Sequence, residues 1–155
     1  MKVIFTLLLP RDAATVPIVR QLCRSTFETL GIEDECSSDL ELVVTEACTN
    51  VLKHASGGDH EYEVQVTTAG QGCEIQVKDA GRGFDHAAVG TEVAHVAAEG
   101  GRGVHLMRVL VDELRFVSDE GSGTMVYLQK SLQLKERSPL QTVGAQSASV
   151  RPYTG

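Results

Sequence analysis

The stretch Glu46-Ala47-Cys48-Thr49-Asn50-Val51-Leu52-Lys53-His54-Ala55 decides how the chain is read. Glu46, Asn50 and His54 recur every four residues, so on a helix each is rotated only about 40° from the one before and all three share one face. A carboxylate, an amide and an imidazole aligned in this way suit a site for a metal ion and a phosphate. The same spacing also fits a plain solvent-facing stripe, with His54 complementing the dipole near the helix C-terminus. On the other side of the helix, Leu40, Val43, Ala47 and Val51 can face a core. Ser38-Asp39-Leu40-Glu41 has the S-x-x-E form of a capping box, which predicts a helix start at Ser38, and Ser56-Gly57-Gly58-Asp59 breaks the helix.

Working outward, Val16, Val19, Leu22, Cys23, Phe27 and Leu30 keep helical spacing, with Pro17 in the first turn and Gly31 just past the end. Arg20 and Arg24 lie on the outer face of that helix, either as ordinary solvated charges or as a surface for acidic residues of a partner, with Arg20 the candidate contact. The apolar run Val3 to Leu9, ended by Pro10, predicts a buried strand and is too short for a secretory signal. Downstream, residues 62–67 and 73–78 both alternate apolar and polar, which predicts two antiparallel strands joined through Gly70 and Gly72. Between Asp85 and Glu99 the period is lost, as suits a short helix or a mobile loop over a ligand. Val104 to Leu114 has helical spacing, and Leu114 to Val117 with Thr124 to Leu128 predict a last strand pair. Beyond Gln129 large apolar residues thin out, so residues 1–134 form the expected domain and 135–155 a disordered tail.

With 155 residues and 42% hydrophobic content the chain suits one domain with a real core. A net charge of -7 leaves no basic stripe for a nucleic-acid backbone or an anionic membrane, and no run approaches the roughly 18 apolar residues of a membrane span. Partners are expected to be proteins and small ligands. Cys23, Cys36, Cys48 and Cys73 have no C-x-x-C pairing and read as reduced thiols of a cytoplasmic protein.

Two glycine-rich turns accompany the polar helix. Asp79-x-Gly81-x-Gly83 follows a strand, placing a carboxylate at a sheet edge beside backbone that a flat ring can approach closely. Read alone, it is also an ordinary turn with a locally hydrogen-bonding aspartate. Gly101-Arg102-Gly103 before Val104 offers free N–H groups and the positive end of a helix dipole to a phosphate, although a flexible helix start has the same form. A late Gly123-Thr124 precedes the final strand. The order of these features carries more weight than any one of them.

In that order, E-x-x-x-N-x-x-x-H-A, D-x-G-x-G-F-D and G-G-R-G-V-x-L-M, the chain resembles the GHKL ATPase superfamily of gyrase, Hsp90, MutL and the histidine kinases. The resemblance covers roughly Leu9 to Lys130. Within the superfamily ELVVTEACTNVLKHA looks most like the small anti-sigma factor serine kinases, and no dimerising phospho-acceptor helix pair is present. The resemblance implies a two-layer α/β (α+β) sandwich of the Bergerat type, with helices on one face of a mixed, mainly antiparallel sheet. It implies ATP and Mg²⁺ as cofactors. By position Asn50 would ligate Mg²⁺, Asp79 would accept from the adenine amino group, and Gly81 and Gly83 would border the nucleotide. Gly101, Arg102, Gly103 and Val104 would hold phosphates, Thr124 would reach adenine through water, and Glu46 would be the general base. His54 matches the pattern without a firm role.

The implied function is an anti-sigma factor that sequesters a sigma factor and phosphorylates a serine or threonine of its antagonist, with a homodimer suggested by the family. The segment from Asp85 to Glu99 stands where the lid should be, yet it is short and has no obvious further phosphate ligand. That leaves room for an ATP-binding anti-sigma or antagonist-binding module that transfers nothing. A gyrase- or Hsp90-like ATPase is disfavoured because the sequence offers no further domain for hydrolysis to move.

Overall fold

The computed structural model describes residues 1–54, 61–79, 101–119 and 123–141. Strand β1 spans Lys2–Pro10, helix α1 Val16–Thr29, α2 Asp34–His54, β2 Glu61–Ala69, β3 Gly72–Asp79, α3 Gly101–Leu110, β4 Glu113–Asp119 and β5 Gly123–Ser131. The strands form one open sheet in the order β1-β2-β3-β5-β4, and all four pairings are antiparallel.

The alternation that predicted β2 and β3 also sets the core. Tyr62, Val64, Val66 and Thr68 on β2, with Cys73, Ile75, Val77 and Asp79 on β3, are buried on the face covered by helices. The other face carries polar side chains, among them the Lys78–Glu63 ion pair at 3.6 Å. Helix α2 lies over β3 and β5, with α1 and α3 packed beside it. Its Leu40, Val43, Ala47 and Val51 are all in the core, on the face their spacing assigned them. The layout is the two-layer sandwich expected from the sequence.

Three local expectations are corrected. First, β1 is an edge strand that buries one face only: Val3, Phe5, Leu7 and Leu9 pack toward the helices, while Ile4 and Leu8 are 50% and 57% exposed. An apolar run interrupted only by Thr6 hid this, because Leu8 looks the same on either face. Second, α2 begins at Asp34, four residues before the Ser38 box. Glu33 and Ser37 are already tied by a helical Ser37 N–H to Glu33 C=O bond of 2.8 Å, and Glu41 pairs with Arg24 of α1 at 2.8 Å instead of capping. Third, α3 takes Gly101 and Gly103 into its first turn and ends at Leu110, so Leu114 belongs to β4.

The expected tail boundary also moves. Residues 132–141 form a strap across the elbow between α1 and α2. Leu134 bridges to Ile32, the Lys135 N–H donates to the Gly31 carbonyl at 2.8 Å, and the Ser138 hydroxyl donates to the Leu30 carbonyl at 2.5 Å. Ser138 and Leu140 are buried, at 1% and 2% exposure. The segment orders because Leu132 and Leu140 join the core while its backbone groups find partners. Residues 142–155 lie outside the described residues.

Candidate functional site

The site is built at the end of β3 and along the upper half of α2. Asp79 closes β3 on its helix-facing side and is buried, yet its Oδ1 meets no hydrogen-bond partner among the described residues. A carboxylate oxygen taken out of water without a donor costs free energy, so such a group points to a ligand that donates. Gly123 lies against it: a Cβ there would sit 3.2 Å from the Asp79 Cβ and 3.4 Å from Oδ2, and its φ of +98° already excludes most side chains. Thr124, next in the chain, is buried beside them.

The second wall is the seam between α2 and α3. The Glu46 carboxylate rests against the backbone of Gly103, leaving no room for a Cβ there. Gly103 therefore lets an acidic side chain meet the first turn of a helix, where N–H groups lack intrahelical partners. No acidic residue of α3 itself occupies that turn, which carries exposed Arg102. Gly101 has φ +51° and open space around it, while the Val104 side chain is buried in the core.

Asn50 lies one helical turn beyond Glu46. It is only 7% exposed, and its Oδ1 is buried without a partner among the described residues. An amide oxygen left open fits an oxygen-preferring cation such as Mg²⁺, which keeps several waters and needs few protein ligands. No cluster of three or more His, Cys, Asp or Glu suited to a metal occurs among the described residues. The structure thus brings Glu46 to Gly103 and Asp79 to Gly123, and it buries Asn50 one turn beyond Glu46 on α2. Gly81 and Gly83, the Asp85 to Glu99 segment and the His54 side chain lie outside the described residues.

Arg20 stands apart on α1, where its Nε donates to Thr45 Oγ on α2 at 3.2 Å. Arg20, Arg24, Leu42 and Thr45 line a shallow groove between the two helices. Sequence reading missed Thr45 as the groove's other wall, and it missed the hydroxyl pair Thr15 and Tyr62, bonded at 2.6 Å beneath the start of α1. Only Tyr62, a polar tip inside an alternating strand, carried a signal of that pair. No described helix is long and apolar enough to cross a membrane.

Known proteins resemble this chain in sequence and in fold. The family model for the histidine kinase-like ATPase domain matches residues 9–130. Serine-protein kinase RsbW of Bacillus thuringiensis (strain Al Hakam) is 23% identical, over 86% of this chain and 91% of the relative. RsbW of Bacillus cereus (strain G9842) is 25% identical over the same shares. Among solved structures, that of the RsbU and RsbW domains of Rv1364c from Mycobacterium tuberculosis matches with a TM-score of 0.65 at 19% identity, over 88% of this chain and 34% of that one. A chain of the SiaB–SiaC complex from Pseudomonas aeruginosa matches with a TM-score of 0.56 at 13% identity, over 83% and 88%. The two structures share the fold, and the match to residues 9–130 spans the polar helix, the Asp79 strand end and the α3 turn together: the chain belongs to the histidine kinase-like ATPase domain family.

Proposed function

We propose that this chain is an anti-sigma factor that binds Mg·ATP and phosphorylates a serine or threonine of an antagonist protein, phosphorylation stopping the antagonist from releasing a sequestered sigma factor. The observation that carries the proposal is the Glu46 carboxylate held against Gly103 at the start of α3. On this reading a base would stand beside the helix terminus that would receive phosphate. The names of the RsbW relatives support the reading at the level of a serine-protein kinase.

Each residue has a definable task. The N–H groups at Gly101 and Gly103 would bind phosphate oxygens, with Arg102 adding charge. Asp79 Oδ1 would accept from the adenine amino group, and Thr124 would line that end of the pocket. Asn50 Oδ1 would hold Mg²⁺, whose charge when bound offsets that of the phosphates. In transfer, the acceptor hydroxyl oxygen bonds to the γ-phosphorus and the bond from that phosphorus to the leaving ADP oxygen breaks. Glu46 takes the hydroxyl proton. Arg20, in the groove between α1 and α2, is the proposed contact for an acidic segment of the sigma factor or antagonist.

Radiolabelled ATP incubated with candidate antagonists from the same cell tests the reading. Label on a serine or threonine of one antagonist is the expected result. Tight ATP binding with no acceptor labelled would leave an ATP-gated binding module, and no ATP binding would remove both.

A further inference from the structure

Tyr62 and Asp79 are paired residues of β2 and β3, and both side chains face the helices. Directly paired side chains on one face of an antiparallel ladder stand within about 5.5 Å at Cβ. On the β5 side Gly123 lies against Asp79 and contributes no side chain. On the β2 side stands the ring of Tyr62.

The ring is itself tethered. Thr15 Oγ donates its hydrogen to the Asp12 carbonyl at 2.6 Å. A hydroxyl has one proton, so in the 2.6 Å contact between Thr15 and Tyr62 the tyrosine must be the donor. Burial pushes the Tyr62 phenol up, which keeps that proton in place. Asp12 in turn caps this helical turn through the Ala14 N–H at 2.9 Å. Three bonds therefore tie the start of α1 to the Tyr62 hydroxyl, and Tyr62 is the strand partner of Asp79.

We infer that Tyr62 is a positioning residue for the nucleotide-base pocket, acting through Asp79, and that Thr15 holds Tyr62 in the position this requires. The inference rests on the proposed nucleotide site and deepens it. It also makes base recognition sensitive to where α1 begins.

Calorimetric titration with ATP and GTP tests it on the full chain. Tyr62→Phe removes one hydroxyl and keeps the ring. It should lower ATP affinity about three- to tenfold, the range of a single neutral hydrogen bond, and narrow the preference for ATP over GTP. Thr15→Val should do the same, Thr15→Ser should restore both, and in an Asp79→Asn background Tyr62→Phe should have no further effect. A Tyr62→Phe protein that melts lower yet keeps its base preference, or whose loss simply adds to that of Asp79→Asn, overturns the inference and leaves the function reading standing. Wild-type protein that binds neither nucleotide overturns both.

Discussion

At Gly103 a single hydrogen atom decides whether an acidic side chain can reach the first turn of α3. A Cβ would collide with Glu46 Oε2, which is the far end of a side chain and can swing away cheaply. Gly103→Ala should therefore leave stability within about 1 kcal/mol, since alanine is also the better helix former. Phosphoryl transfer should fall ~10–10²-fold as the base is displaced. Thermal melting read beside initial transfer rates checks this, and equal rates would remove Glu46 from its assigned place. Glu46→Gln separates position from basicity: shape is kept, ATP should bind as before, and transfer should drop ~10²–10⁴-fold. Asp79→Ala acts on the other wall. It removes Oδ1, which has no partner among the described residues, so ATP affinity measured by calorimetry should weaken by roughly one to two orders of magnitude.

At the scale of elements, the strap of residues 132–141 locks the elbow between α1 and α2. Leu140→Ala should cost about 2–5 kcal/mol, the range for truncating a buried leucine. Gly31→Ala should cost about 1–3 kcal/mol, because φ is +70° and the new Cβ would lie 2.9 Å from the Ser138 Cα. Denaturant melts check both, and unchanged midpoints would mean the strap carries no stability. The strap was illegible in the sequence for a physical reason. Ser138 and Leu140 are buried by an elbow more than a hundred residues earlier in the chain, and no local period records that. The helices and the β2–β3 pair were legible because their 3.6 and 2 periods are written in adjacent residues. The site was legible as an order of motifs, whereas the Thr15–Tyr62 bond and the seating of Glu46 on Gly103 needed the third dimension.

At the scale of the whole molecule, the four cysteines report on global stability. All four are free and buried. Burial raises the thiols of Cys23 and Cys48 from 9.0 to about 12, with smaller contributions from Glu41 and Cys23 respectively, and raises Cys73 as well. The folded chain thus keeps protons that the unfolded chain releases above pH 9. The stability from this source is fully present below pH 9 and is lost as pH rises toward 12. At pH 8 these thiols should react with an alkylating reagent only when the core opens, because burial withholds both access and the thiolate. A ligand that binds only the folded chain suppresses opening by the factor 1 + [L]/Kd, so Mg·ATP at a hundred times its Kd should slow alkylation about a hundredfold. GTP at the same concentration should protect less, and Asp79→Ala should lose most of the protection by ATP. Mass spectrometry of labelled peptides follows each cysteine separately. If nucleotide binds yet Cys23, Cys48 and Cys73 label at their unliganded rates, the core opens without releasing the nucleotide, and the site is not built on the α2–β3 layer.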